Sequence, residues 1–178
     1  MHHSVSPSKM SAMIDSDTFR EAMTRFAGAV TAITTMDHHG PVGLIATSVC
    51  SLSADPPTLL VCINRSASAH DRILQKGLFG VSLPSGRQEH VARHFASSKG
   101  PDRFVDDHWT TRVTGSPILE GAAVAFDCTM VAKHEAYTHT ILVGLIEDVV
   151  LGEEQSEPCL IWHRRSFAKV LKPASVSV

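Results

Sequence analysis

The 178 residues, 19.2 kDa in all, suit a single domain, and 43% hydrophobic with 19% charged residues exclude a chain that is disordered throughout. Sixteen basic against eighteen acidic side chains give a net charge of −2. That excludes the general positive field expected of a nucleic-acid or anionic-membrane binder.

Residues 1–15 read as a flexible, Ser-rich arm without the apolar core of a signal peptide, 16–172 as one domain, and 173–178 as a C-terminal tail. No run approaches the roughly 20 apolar residues of a membrane span. Cys50, Cys62, Cys128 and Cys159 form no Cys-x-x-Cys pair, so a zinc ribbon or thioredoxin motif is excluded. The first three lie in apolar runs, which predicts reduced, buried thiols in a cytoplasmic protein.

The first helix is predicted from the capping-box spacing of Thr18 and Glu21, with Phe19, Met23 and Phe26 on one face and Gly28 as its stop. A hairpin follows: Val30–Met36 is β-branched, Asp37-His38-His39-Gly40 turns, and Val42–Val49 returns. Ser51–Pro57 reads as a polar loop, and Thr58–Ile63 as a strand buried on both faces. Ser68 with Asp71, and Ser85 with Gln88, predict two short capped helices with a strand at Leu78–Leu83 between them. Ser97–Ser116 is irregular and long enough to suggest a functional loop or lid. Beyond it come a period-2 strand at 124–130, a strand at Thr140–Val150 with Ile141, Val143 and Leu145 on one face, and a short one at Cys159–Trp162. About seven strands and three helices, without strict β-α-β alternation, predict a mostly antiparallel barrel decorated by a few helices.

No G-x-G-x-x-G, P-loop, H-E-x-x-H or G-x-S-x-G motif is present. The segment Gly43–Ser53 puts small hydroxyl residues where a buried strand should carry Val or Ile. Such side chains let a flat ligand lie against the backbone, or they mark an ordinary strand end. Asn64-Arg65-Ser66-Ala67-Ser68 stands at a strand–helix junction suited to an anion, or to simple capping. His90 and His94, at i and i+4, could share a metal or line a solvated face, and no third ligand is evident. His139 begins an apolar strand face, as a core histidine or as a donor to a ligand, and Arg164-Arg165 suit a planar or phosphate ligand.

Several segments then appear in order over residues 18–169: Phe19–Met23, Ala29–Thr35, Ala46–Ser53, Pro56-Pro57, Val61–Asn64, Ala92–Ala96, Arg103-Phe104, Trp109, Thr138-His139 and His163–Arg165. Together they resemble the short-chain flavin reductases that serve two-component aromatic monooxygenases. The likeness is to the reductase components of the 4-hydroxyphenylacetate and chlorophenol monooxygenase systems. The resemblance implies a flavin-binding split β-barrel, homodimeric, that uses NADH, or NADPH as the alternative donor, to reduce FMN or FAD. Free reduced flavin would pass to a separate monooxygenase acting on an aromatic substrate. By position, Ala46, Thr47 and Ser48 would line the isoalloxazine, with Cys62, Ile63 and Asn64 beside them. Ser66, Ser68, Arg93 and His94 would face the ribityl and phosphate groups, and Ser51, Phe95 and Arg165 complete the cofactor set. His139 would be the catalytic, nicotinamide-side residue, and no metal is implied. Chemistry carried by two stacked rings needs no side-chain nucleophile. Asp37–Gly40, Trp162-His163 and Ser166 depart from the family pattern. The alternative is a flavin-binding split-barrel protein that stores or senses flavin without turnover.

Overall fold

The computed structural model describes residues 14–105, 108–152 and 158–170. Most of the expected arm at 1–15, and all of the tail at 173–178, lie outside the described residues.

Helix α1 (Ser16–Met23) is capped by Asp15, whose Oδ1 accepts the amides of Asp17 and Thr18 at 2.9 and 2.8 Å. The cap is therefore Asp15 and not the expected Thr18, whose hydroxyl instead donates to Asp15 Oδ2 at 2.6 Å. No residue of α1 is buried, so its apolar face, with Phe19 53% and Met23 44% exposed, is left largely uncovered by the described residues.

The strands that follow are β1 (Gly28–Ala29), β2 (Thr31–Asp37), β3 (Gly40–Ala46), β4 (Val49–Ala54) and β5 (Pro57–Asn64). Then come α2 (His70–Lys76), β6 (Leu78–Leu83) and α3 (Glu89–Ser97). A 3-10 turn (Gly100–Phe104), β7 (Trp109–Thr111), β8 (Pro117–Leu119), β9 (Val124–Ala136), β10 (His139–Leu151), β11 (Leu160–His163) and β12 (Ser166–Lys169) complete the chain. Seven strands form one sheet in the order β3-β2-β6-β9-β10-β5-β4; β1-β11-β12 and β7-β8 form two small ones. Every ladder is antiparallel, as expected for a hairpin-rich barrel.

β3 and β4 occupy opposite edges of the large sheet, yet only Thr47 and Ser48 join them. Three Cα steps span about 11 Å at most, so the sheet must curl until its edges face each other. No ladder between β3 and β4 closes it among the described residues, and the link is held instead by the Cys62 amide donating to the Ser48 carbonyl at 3.0 Å. Ile33, Val61, Ile63, Ile73, Phe79 and Leu142 fill the interior at 0–1% exposure.

Several expectations are corrected. Ser51–Pro57 is not a loop: its first half continues β4, an edge strand exposed enough to carry serines, and a tight turn with a cis Asp55–Pro56 bond follows. The returning strand ends at Ala46, because the chain there leaves one sheet edge for the other. The Ser68–Asp71 box does not form; α2 starts after Ala69 without a side-chain cap, and the Asp71 carboxylate meets His70 Nδ1 at 2.7 Å. Half of the Ser85–Gln88 box forms one turn before α3, Gln88 Oε1 accepting the Ser85 amide at 3.0 Å. Nor is Ser97–Ser116 a plain loop. It contains the 3-10 turn and the first strand of the β7–β8 hairpin, with the Phe104 ring edge-on to Phe95 at 5.2 Å and the Trp109 ring tilted against it at 5.4 Å. Buried Asp127 anchors it further on by accepting the Thr114 amide at 2.7 Å.

Candidate functional site

A cleft of about 440 Å³ opens between β3 and α3. Ile45, Ala46 and Thr47 form one wall, Ala92, Phe95 and Ala96 the other, and Trp162 and Phe167 of the β11–β12 hairpin close one end. Glycine makes the two walls fit. A Cβ on Gly43 would lie 2.8 Å from the Ile33 carbonyl oxygen and 3.0 Å from the Phe95 ring. One on Gly28 would lie 2.9 Å from Thr47 Cβ. Arg103 borders the same cleft, donating from Nε to the Ser98 carbonyl at 2.9 Å and from Nη1 to the Gly43 carbonyl. Burial pulls the Arg103 pKa down from its ordinary value.

A second hollow, of about 550 Å³, shares Ala96, Trp162 and Phe167 with the cleft and so continues it. Arg93 and Arg165 line it. The Arg93 guanidinium sits 5.0 Å over the Phe167 ring and pairs with Glu89 at 2.5 Å; Arg165 lies 3.3 Å from the Glu21 carboxylate. Arg164 and Arg165 both take positive φ, +48° and +62°, in the tight turn between β11 and β12. This groove is apolar along its length, with two guanidinium groups, each paired to a carboxylate, at one end.

The other side of the Thr47-Ser48 link is built by the ends of β5 and β10. Their register pairs Asn64 with His139, Ile63 with Thr140 and Cys62 with Ile141. Ile63 and Thr140 point inward, at 1% and 2% exposure, so Ile63 can offer a ligand only its backbone. Cys62, Asn64 and His139 therefore share the outer face. That corrects the apolar reading of the His139 face: the fully buried residues at this end of β10 are Thr140, Leu142 and Gly144, while Ile141, Val143 and Leu145 are only partly buried. His139 Nδ1 stands 2.9 Å from the Thr138 hydroxyl. Asn64 Oδ1 accepts both the amide and the hydroxyl of Ser66 at 2.9 Å, which closes an Asx turn. Burial, with Cys50 nearby, pushes the Cys62 thiol up.

The structure thus brings Ala46, Thr47 and Phe95 into the cleft and Arg93 and Arg165 into its extension. Cys62, Asn64, Ser66 and His139 gather around the end of β5, with Ser48 tied to them by backbone. Ser51 and Ser68 are exposed and line neither hollow. His94 lines neither, its Nε2 lying 2.7 Å from the Asp102 carbonyl. Among the described residues no group of three His, Cys, Asp or Glu side chains is placed to hold a metal. Sequence reasoning gave no site role to Arg103 or to the Trp162–Phe167 end wall. Arg103 stands in an irregular segment, and the end wall depends on β12, a strand of four residues without a periodic signal.

Residues 23–171 match the family described as flavin reductase like domain. The chain belongs to that family. This flavin reductase-family chain is 39% identical over 165 residues to the protein named FMN reductase (NADH) RutF 2 of Methylorubrum extorquens, covering 92% of this chain and 95% of that one. Its fold superimposes on a nitrilotriacetate monooxygenase component B homologue from Mycobacterium thermoresistibile with a TM-score of 0.82 at 30% identity, over 89% and 90% of the two chains. BorF, the flavin reductase component of a bacterial two-component tryptophan halogenase, gives a TM-score of 0.81 at 31% identity over 89% and 100%. The flavin reductase-family chain is accordingly an oxidoreductase, mainly β with three α-helices among its described residues, of the split-barrel class.

Proposed function

We propose that this chain is an NADH-dependent reductase of FMN, with FAD as a second flavin, and that it passes reduced flavin to a separate oxygenase component. The observation that carries this reading is the cleft walled by Ala46, Ala92 and Ala96 that runs into the hollow holding Arg93 and Arg165. At about 440 Å³ it falls within the roughly 300–1,000 Å³ of small-molecule sites. Its small walls admit a flat ring system, and two guanidinium groups at the far end suit a phosphate. When bound, flavin and nicotinamide supply the chemistry themselves, as a hydride transferred between their rings.

The protein's share is to hold and orient. Ala46, Thr47 and Phe95 bound the ring; Arg93 and Arg165 meet the phosphate; His139, with Asn64 beside it, flanks the nicotinamide. Arg103, a fixed cation on the cleft wall, favours negative charge on the reduced ring. The relatives' names favour FMN and NADH. The halogenase reductase BorF supports delivery to a separate flavin-using component; an aromatic substrate for that component rests on the sequence resemblance. A second copy of the chain suits the exposed apolar residues Phe19, Met23, Phe26 and Leu52.

Anaerobic mixing with NADH and FMN tests the enzyme reading: the oxidised-flavin absorbance bleaches at a rate that saturates with NADH. No bleaching, with flavin retained through gel filtration, would instead place the chain among flavin-binding proteins without turnover. Sedimentation velocity tests the second copy, and a mass of one chain refutes it.

A further inference from the structure

The β11–β12 hairpin turns through Arg164 and Arg165 alone, with His163 paired to Ser166 on either side of them. Positive φ at both central residues defines the two-residue turn that Asn-Gly fills without strain. Arginine enters this region only at a cost, so the turn holds two long cationic side chains where shorter residues would sit more easily. Strain of this kind gathers at ligand clamps.

The turn rests on the polar side of α1. The Arg164 amide donates to the Thr24 carbonyl at 2.8 Å, and the Arg165 guanidinium lies 3.3 Å from the Glu21 carboxylate. Between the two elements opens a third hollow, of about 210 Å³, lined by Glu21, Thr24, Arg25, Arg164 and Arg165. Three guanidinium groups against one carboxylate leave two positive charges in excess. Among the described residues, Arg25 and Arg164 have no carboxylate partner. Nor does the end of α1 supply acceptors for them. The carbonyls of Glu21, Ala22, Met23 and Thr24 are taken by the amides of Thr24, Arg25, Phe26 and Arg164.

We infer that this hollow binds a free oxyanion carrying two negative charges, with inorganic phosphate as its type, held by Arg25 and Arg164. Guanidinium groups present paired N–H donors that match the oxygens of such an ion. The hollow is smaller than the roughly 300–1,000 Å³ of small-molecule sites, so it takes a charged group and not a nucleotide. Glu21 stands on the opposite side of α1 from Phe19 and Met23, and a second copy seated on those two would leave the hollow open. Trp162 and Phe167 pair across the same hairpin, with ring centroids 5.0 Å apart, so an anion at the turn also braces the end wall of the cleft.

Titration with inorganic phosphate, exchanged for sodium chloride at constant ionic strength, tests the site in the flavin-free and in the FMN-saturated protein. Tm rises and the phosphorus NMR line of phosphate broadens, both saturably, and chloride does neither. Arg25→Gln raises the half-saturating phosphate concentration about tenfold, the loss of one charge-assisted hydrogen bond. Arg164→Gly stays folded, since glycine takes the positive φ freely, and its half-saturation rises by a similar factor. Equal shifts with phosphate and chloride overturn the inference, as does an Arg164→Gly protein that responds like wild type. A phosphate response that disappears when FMN saturates the protein also overturns it, because the hollow would then belong to the flavin's own phosphate. A phosphate response in a protein that fails to oxidise NADH with FMN would leave this site standing and sink only the reductase reading.

Discussion

Arg103 ties the cleft together, and its removal has a magnitude that follows from its partners. Nε and Nη1 donate to two carbonyls, those of Ser98 and Gly43, so one side chain fastens the segment after α3 to the middle of β3. Its guanidinium also lies 5.9 Å from the Phe95 ring centroid. A hydrogen bond from a charged donor contributes about 1.5–3 kcal/mol, and partial exposure puts these two near the lower end, about 3 kcal/mol together. That is a large share of a typical domain stability of roughly 5–15 kcal/mol. Arg103→Ala therefore lowers the unfolding free energy of the flavin-free protein by about 3 kcal/mol, read in urea as a lower midpoint at an unchanged m-value, and Tm by roughly 6–12 °C. Arg103→Lys, which cannot span both carbonyls, recovers less than half. The KM for flavin rises with Arg103→Ala, because the Gly43 strand and the Phe95 wall lose their tether. Arg112 serves as a control away from the cleft: its pair with Asp148 at 2.7 Å is half-exposed, and Arg112→Ala shifts the midpoint far less. An Arg103→Ala protein within about 1 kcal/mol of wild type would show that water replaces the guanidinium at both carbonyls, and the tether would be refuted.

Three further outcomes follow from particular contacts. Gly144→Ala puts a Cβ 2.6 Å from Phe79 Cζ inside the barrel, so thermal melts should show a loss of about 1–3 kcal/mol from overpacking; an unchanged melting curve would contradict the close packing. The Arg72 guanidinium holds the Asp37 carboxyl well below the usual carboxylate range. A depressed folded-state pKa gives stability that is present above the unfolded value of about 4 and is lost as pH falls toward the folded value. Urea midpoints at pH 6 and pH 3 should therefore drop more steeply for wild type than for Arg72→Gln, and parallel drops would count against the pairing. Burial pushes the Cys128 thiol up to about 12, while Cys50 is exposed. Iodoacetamide at pH 8 should alkylate Cys50 in the native protein and leave Cys128 intact until denaturant is added, as peptide mass spectrometry would record.

Periodicity and punctuation made most of the large sheet legible. Leu78–Leu83 has the same bounds in sequence and structure, and Asp37–Gly40 turns where its residue types say. What failed has a common cause: the deciding contact was one that residue type and spacing do not announce. Ser51 and Ser53 lack β propensity, yet they sit in a strand because β5 supplies a ladder for an exposed edge. The Ser68 cap lost to Asp71 pairing with His70. Along the cleft, Ala46 and Thr47 stand out in the sequence as small residues where bulk was expected. Arg103 does not, since its value lies in reaching a carbonyl sixty positions away.

Two of the eleven histidines, His70 and His139, take unlike roles at one end of the sheet. His70 is 6% exposed, with Nδ1 2.7 Å from the Asp71 carboxylate and Nε2 2.9 Å from the Thr140 hydroxyl. Threonine at an interior strand position needs such a partner, and the hydrogen bond holds Thr140 facing inward. Because side chains alternate along a strand, an inward Thr140 obliges His139 and Ile141 to face outward, and a slip of one residue would exchange the two faces. The buried histidine on α2 thus helps fix the orientation of His139 on β10, beside Asn64. Truncating His70 should disturb this end of the sheet before it disturbs the cleft at β3 and α3, because no residue lining that cleft touches the His70–Thr140 pair through a hydrogen bond.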